Sequence, residues 1–361
     1  MAVQNGGSIL SQKQEKPWVQ TPLKESSSLS RAANCRVFLK LENLQPSGSF
    51  KSRGIGNYLL ARLSSNPSST PHIYSSSGGN AGLACVYAAR TLHHPCTVVV
   101  PLSTKPMMIS KLRAAGAHDV IQHGATWAEA DKYLREEVLG KDNKGIYVPP
   151  FDHPDIWTGN ATIMHEIKEQ MPHGEKPDVV ICSVGGGGLF NGVCEGLDAL
   201  GWSDVQVLAM ETKGAESLAK SISARELVTL PGITSQATSL GAVRVTGKSL
   251  EYGLRPNVKS VMLPDAEAAM GCWRLADDER LMVEMASGVN VALCYDGRLE
   301  KVLGRKLGKE SKVVIVLCGG SNVTVDMLMR WRQEFGTVEV EMPINGEVPS
   351  QKSAPSAMLS H

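Results

Sequence analysis

Short apolar runs recur along the chain, and stretches whose apolar positions return every three or four residues separate them. The runs at 37–41, 72–74, 96–100, 119–122, 179–183, 205–210 and 312–317 predict strands. Several show no polar alternation, the mark of strands buried on both faces of a mainly parallel sheet. Helical periodicity over 81–92, 107–115, 126–138, 159–170 and 189–200 fills the intervals. Alternating strands and helices predict the α/β class. No internal repeat interrupts the pattern.

A chain of 361 residues exceeds the size at which one core keeps growing, so two lobes are expected. Glycine and proline clusters near 48–56 and 148–152 mark the boundaries between them. Residues 1–16 are polar and residues 343–361 are Ser/Pro-rich, and both are expected to be disordered. A net charge of +1 gives no footprint for duplex nucleic acid or an anionic membrane. An aromatic share of 5% argues against stacking platforms for single strands. No apolar run approaches the ~20 residues of a membrane span. Eight cysteines without a C-x-x-C pair, and a start that lacks a signal-like segment, predict a reduced, cytoplasmic protein.

Five segments carry candidate chemistry. Lys51 sits in Pro46-Ser47-Gly48-Ser49-Phe50-Lys51, between a strand-like and a helix-like run. An ordinary surface lysine needs no such setting, whereas one that condenses with an aldehyde must be delivered, partly desolvated, to a fixed point. Gly185-Gly186-Gly187-Gly188 follows an apolar run and opens the helix-like run at Leu189. Without Cβ atoms, such a loop can turn successive N–H groups onto a phosphate monoester, or it can simply turn. Its spacing fits neither nucleoside triphosphates nor dinucleotides. The Ser75-Ser76-Ser77-Gly78-Gly79-Asn80-Ala81-Gly82 segment is either a helix N-cap or a cradle for a substrate carboxylate. Taken alone, Cys318, in Cys318-Gly319-Gly320-Ser321-Asn322, reads as a buried core thiol at a strand end, and Glu211 as a solvated loop carboxylate.

Read together and in this order, Gly-Ser-Phe-Lys, Ser-Gly-Gly-Asn-Ala-Gly, the glycine tetrad and Cys-Gly-Gly-Ser-Asn resemble the pyridoxal-phosphate enzymes grouped with tryptophan synthase β. Among these, the chain is most similar to the eukaryotic L-serine/L-threonine dehydratases, from about Trp18 to Asn322. The resemblance implies fold type II: two domains, each an open, mainly parallel sheet flanked by helices. It implies a large domain of 17–52 plus 151–342 and a small domain of 53–150.

For the site, the resemblance implies that Lys51 forms a Schiff base with pyridoxal 5'-phosphate and then takes the Cα proton. Phe50, Asn80, Gly185, Gly186, Gly187, Gly188, Leu189 and Cys318 would hold the cofactor, with a neutral Cys318 thiol facing the pyridine nitrogen. Ser77, Gly78, Asn80 and Ala81 would hold the substrate carboxylate. Relatives carry alanine or glycine at position 78, and glycine is expected to leave more room. Oxygens of Gly185, Glu211, Ala215, Ser217, Leu240 and Ala242 would bind a monovalent cation such as potassium. A homodimer without nucleic-acid or membrane partners is implied, and too little chain follows Asn322 for a regulatory domain. One segment departs from the family pattern: Glu284-Met285-Ala286-Ser287-Gly288-Val289-Asn290 lacks the proline that usually follows the glutamate. That departure keeps open a racemase or β-replacement enzyme, and a non-catalytic binding protein stands as a third reading.

Overall fold

The computed structural model describes residues 15–65 and 70–336. The tail expected to be disordered, nearly all of the N-terminal segment expected to be so, and residues 337–342 of the expected large domain lie outside the described residues.

Among the described residues, ten strands form two sheets: β1 (Leu23–Glu25), β2 (Arg36–Leu41), β3 (Ile73–Ser75), β4 (Cys96–Val100), β5 (Asp119–Gln122), β6 (Ile146–Tyr147), β7 (Val179–Ser183), β8 (Gln206–Thr212), β9 (Val258–Leu263) and β10 (Lys312–Leu317). The six-stranded sheet runs β1-β2-β10-β7-β8-β9 and the four-stranded sheet runs β5-β4-β3-β6. Every pairing is parallel except the edge pair β1/β2. β10 is central, with Val313 opposite both Val37 and Val179. Every residue of β4 and β7 is buried, because helices cover both faces of each sheet. The small sheet draws only on residues 73–147, and the large one on strands before 42 and after 178.

Helix Pro154–Gln170 runs between the helices Lys51–Ser64 and Gly188–Ala199. Its contact with the Lys51 helix is close enough to require glycine on both sides. A Cβ on Gly54 would lie 2.7 Å from the Ile156 side chain, and one on Gly159 would lie 2.6 Å from the Arg53 carbonyl oxygen.

The predicted strands match to within two residues at each end. The helices differ more. The helix expected from 159 starts at Pro154, with proline in the first turn and the His153 ring accepting the Asp155 N–H. The helix expected over 126–138 is α-helical only over Trp127–Tyr133 and continues as a π-turn over Leu134–Val138. Among the described residues no helix is long and apolar enough to cross a membrane. All eight cysteines are free and buried.

Candidate active site

The candidate segments follow the carboxyl ends of parallel strands, the edge at which open α/β sheets bind ligands. Ser76 follows β3, Val148 follows β6, Val184 follows β7 and Cys318 follows β10. Lys51 is the first residue of its helix, so the loop expected to carry it ends at Phe50. Its Nζ donates to the Pro150 carbonyl at 2.5 Å and lies 5.3 Å and 5.8 Å from the ring centres of Phe50 and Phe151. Burial, opposed only weakly by the Cys318 sulfur, brings the amine down to about 8. The Phe50 N–H donates to the Cys318 carbonyl at 3.0 Å and the Gly320 N–H to the Gly48 carbonyl at 2.8 Å. The lysine segment is thereby fixed to the end of the central strand.

Cys318 is buried, with its Sγ 3.4 Å from the Ser183 hydroxyl and 3.1 Å from that of Ser287. Burial pushes the thiol up, against those hydrogen bonds, so it is neutral. In the tetrad, Gly187 has φ +98°, and a Cβ on Gly186 would meet the Phe151 ring at 2.4 Å. Among the described residues, nothing accepts from the N–H groups of Gly185, Gly186, Gly187 or Gly188. Four free donors at the start of helix Gly188–Ala199, which contains Leu189, suit an anion.

The serine segment does not cap its helix. Gly79 is the N-cap, with no side-chain bond, and Asn80 is the first helical residue. The N–H groups of Gly78, Asn80 and Ala81 find no acceptor among the described residues, while the Ser77 hydroxyl accepts from the Gly79 N–H at 3.3 Å. Gly78 leaves no extra room, contrary to expectation. A Cβ there would lie 2.8 Å from the Thr104 methyl, which already fills the space.

Asn80 reaches across to the large-sheet side. Its Oδ1 accepts from the Ser321 N–H at 3.0 Å, and its Nδ2 donates to Glu284 at 3.0 Å. Sequence reasoning missed Glu284 as part of the site. This buried carboxylate also accepts from the Ser239 hydroxyl and, at 2.7 Å, from the Asn322 N–H. The only signal in the sequence was its place at the head of the departing segment. There Met285 occupies the first helical position, where proline is tolerated but not required. Ser287 is the residue of that helix that reaches Cys318, and Val289 is fully buried in the core.

Glu211 is not solvated. It is fully buried in β8, accepting from the N–H groups of Leu218 and Ala219 at 2.7 Å and 2.8 Å, and burial raises it to about 8. The neighbouring Ser217 hydroxyl is buried with no partner among the described residues, and Ala215 is fully buried beside them. A Cβ on Gly185 would lie 3.2 Å from the Leu240 Cα, and the Ala242 N–H donates to the Leu240 carbonyl. Among the described residues no three His, Cys, Asp or Glu side chains cluster as a metal site.

A part-buried lysine of weakened basicity, a glycine cradle with free N–H groups and a neutral thiol just past the end of the central strand define an enzyme built to hold an aldehyde-bearing phosphate. The chain belongs to the pyridoxal-phosphate dependent enzyme family, which matches over residues 15–319. Its cofactor is pyridoxal phosphate, and the residues present fit it. The chain is 42% identical to the human protein named "Serine dehydratase-like", over 90% of this chain and 97% of that one. It is 41% identical to the Bos taurus "L-serine dehydratase/L-threonine deaminase", over 88% and 96%. Among solved structures, an L-serine ammonia-lyase from the fungus Rhizomucor miehei superposes with a TM-score of 0.82 at 36% identity, covering 89% of this chain and all of that one.

Proposed function

We propose that the chain is an ammonia-lyase that removes the β-hydroxyl and amino groups of L-serine and L-threonine, giving pyruvate or 2-oxobutyrate and ammonia. The depressed basicity of Lys51, whose amine lies beside the Phe50 and Phe151 rings, carries this reading. Strong likeness to relatives named for the same reaction supports it.

Pyridoxal phosphate, when bound, supplies the electron sink that makes the substrate Cα–H acidic. The free N–H groups of Gly185 to Gly188 would hold its phosphate, and the Lys51 amine would hold its aldehyde end. The N–H groups of Gly78, Asn80 and Ala81, with the Ser77 hydroxyl, hold the substrate carboxylate and so fix where Cα lies. The Lys51 amine, unprotonated in a substantial fraction near neutral pH, takes the Cα proton. A neutral Cys318 thiol would offer no negative charge beside the cofactor ring, a setting that would favour elimination over transamination.

The same reading assigns a monovalent cation such as potassium to oxygens of Gly185, Glu211, Ala215, Ser217, Leu240 and Ala242. The buried Ser217 hydroxyl, without a partner among the described residues and beside the Glu211 carboxylate, supports that site. It also takes the enzyme to be a cytoplasmic homodimer in amino-acid catabolism, with 17–52 plus 151–342 as its large domain and 53–150 as its small one. Eight free thiols support a reducing compartment.

The test is product analysis. Purified protein given L-serine and pyridoxal phosphate is expected to release 2-oxo acid and ammonia in equal amounts, and Lys51→Ala to lose at least ~10²–10⁴ in rate. D-serine as the main product, or undiminished deamination by Lys51→Ala, would overturn the proposal.

A further inference from the structure

The segment assigned to the substrate carboxylate is held from beneath by a group outside the resemblance. Asp131 lies on helix Trp127–Tyr133, immediately before the π-turn Leu134–Val138. One of its oxygens, Oδ1, accepts two hydroxyl donors: Ser76 Oγ at 2.6 Å and Tyr147 Oη at 2.7 Å. The other, Oδ2, accepts from Arg135 Nε at 2.8 Å, and the Arg135 guanidinium stacks 3.9 Å from the centre of the Tyr147 ring.

Each donor sits next to one half of the site. Ser76 is the first residue after β3 and precedes Ser77, where the carboxylate cradle begins. Tyr147 ends β6, three residues before Pro150, whose carbonyl receives the Lys51 amine. Its own carbonyl accepts from the Tyr58 hydroxyl, on the helix that Lys51 opens, at 2.9 Å. A single carboxylate oxygen therefore ties the cradle to the lysine's acceptor strand. Hydrogen bonds to a charged acceptor are about twice as strong as neutral ones, and this one is largely shielded from water.

We infer that Asp131 is a positioning residue for substrate binding, setting the carboxylate cradle at a fixed distance from Lys51 through Ser76 and Tyr147. The inference rests on the reaction proposed above. Asp131 touches neither substrate nor cofactor, so its loss loosens the cradle without removing the lysine or the glycine tetrad. The expected signature is weaker capture of the amino acid with the cofactor still bound.

The test compares holoenzymes of wild type, Asp131→Ala, Ser76→Ala and Tyr147→Phe. Asp131→Ala is expected to raise KM for L-serine about tenfold or more with a smaller change in kcat, and to keep the absorbance of the Lys51-bound cofactor. With a non-reacting carboxylate analogue of serine bound, so that the cradle amides are engaged, hydrogen exchange at Ser77 to Asn80 is expected to speed up relative to wild type while the tetrad stays protected. Ser76→Ala and Tyr147→Phe, which each remove one donor and leave the Asp131–Arg135 pair in place, are expected to give smaller rises. Combining Ser76→Ala with Asp131→Ala is expected to add little, because both cut the same link. An unchanged KM and unchanged exchange at 77–80 in Asp131→Ala overturn the inference. Should that variant not fold, the same null result in both single-donor variants overturns it. Failure of wild type to bind cofactor at Lys51 or to deaminate L-serine overturns the underlying reaction instead.

Discussion

The amine of Lys51 suits imine chemistry because its surroundings weaken its hold on a proton. An ordinary lysine near 10.4 is neutral in about one part per thousand at pH 7.5, whereas one brought down to about 8 is neutral in roughly a quarter of molecules. Only the neutral form attacks an aldehyde. The rate at which cofactor-free protein captures pyridoxal phosphate is therefore expected to rise with pH, reach half its maximum near pH 8 and level off by about pH 9, as followed by the absorbance of the bound cofactor. A rate still climbing at pH 10 would show that burial does not tune this lysine. Its setting was legible in the sequence because glycine, serine and proline crowd around it for steric reasons. The Phe151 ring and the Pro150 carbonyl were not, since they reach Lys51 from a hundred residues away.

At the scale of elements, the lysine helix is anchored by charge as well as by close packing. Arg53 is fully buried, with its guanidinium donating to Glu42 at 2.7 Å and 2.8 Å and to Glu166 at 2.6 Å and 2.7 Å. Lys40, on β2, adds a second cation to Glu166 at 2.6 Å. Removing one partner from such a set strands the others in a low-dielectric interior. Arg53→Ala is expected to destabilise the protein by ~3–5 kcal/mol, read from urea unfolding. A loss under ~1 kcal/mol would mean that the glycine-mediated helix contact holds the element alone.

The elements that sequence reasoning placed well, such as β4, β7 and β10, are continuously apolar and buried on both faces. Three of those it missed lack such a signal. β6 has only two residues, β9 is an edge strand with polar residues among its apolar ones, and helix Met285–Val291 is buried all round and shows no amphipathic period. The π-turn after Tyr133 leaves no periodic trace, because it widens one turn without changing residue type.

For the whole molecule, the active-site cleft is closed by contacts between segments far apart in the chain. Asn80 bonds to Ser321 and Glu284, and Lys111 donates to the Ser321 carbonyl. Motif order implied these neighbours only through likeness to a family, since strand order and crossover fix which loops meet. Glu284 shows the limit most clearly: its place at the head of a segment that departs from the family pattern drew notice, but nothing in the sequence shows that it is a buried acceptor joined to three donors. What the whole account needs is one covalent link between one side chain and the cofactor. Borohydride reduction of the holoenzyme, followed by digestion and mass mapping, tests it most directly. The cofactor's mass is predicted on the peptide carrying Lys51 and nowhere else; a mark on another lysine, or on none, would contradict it.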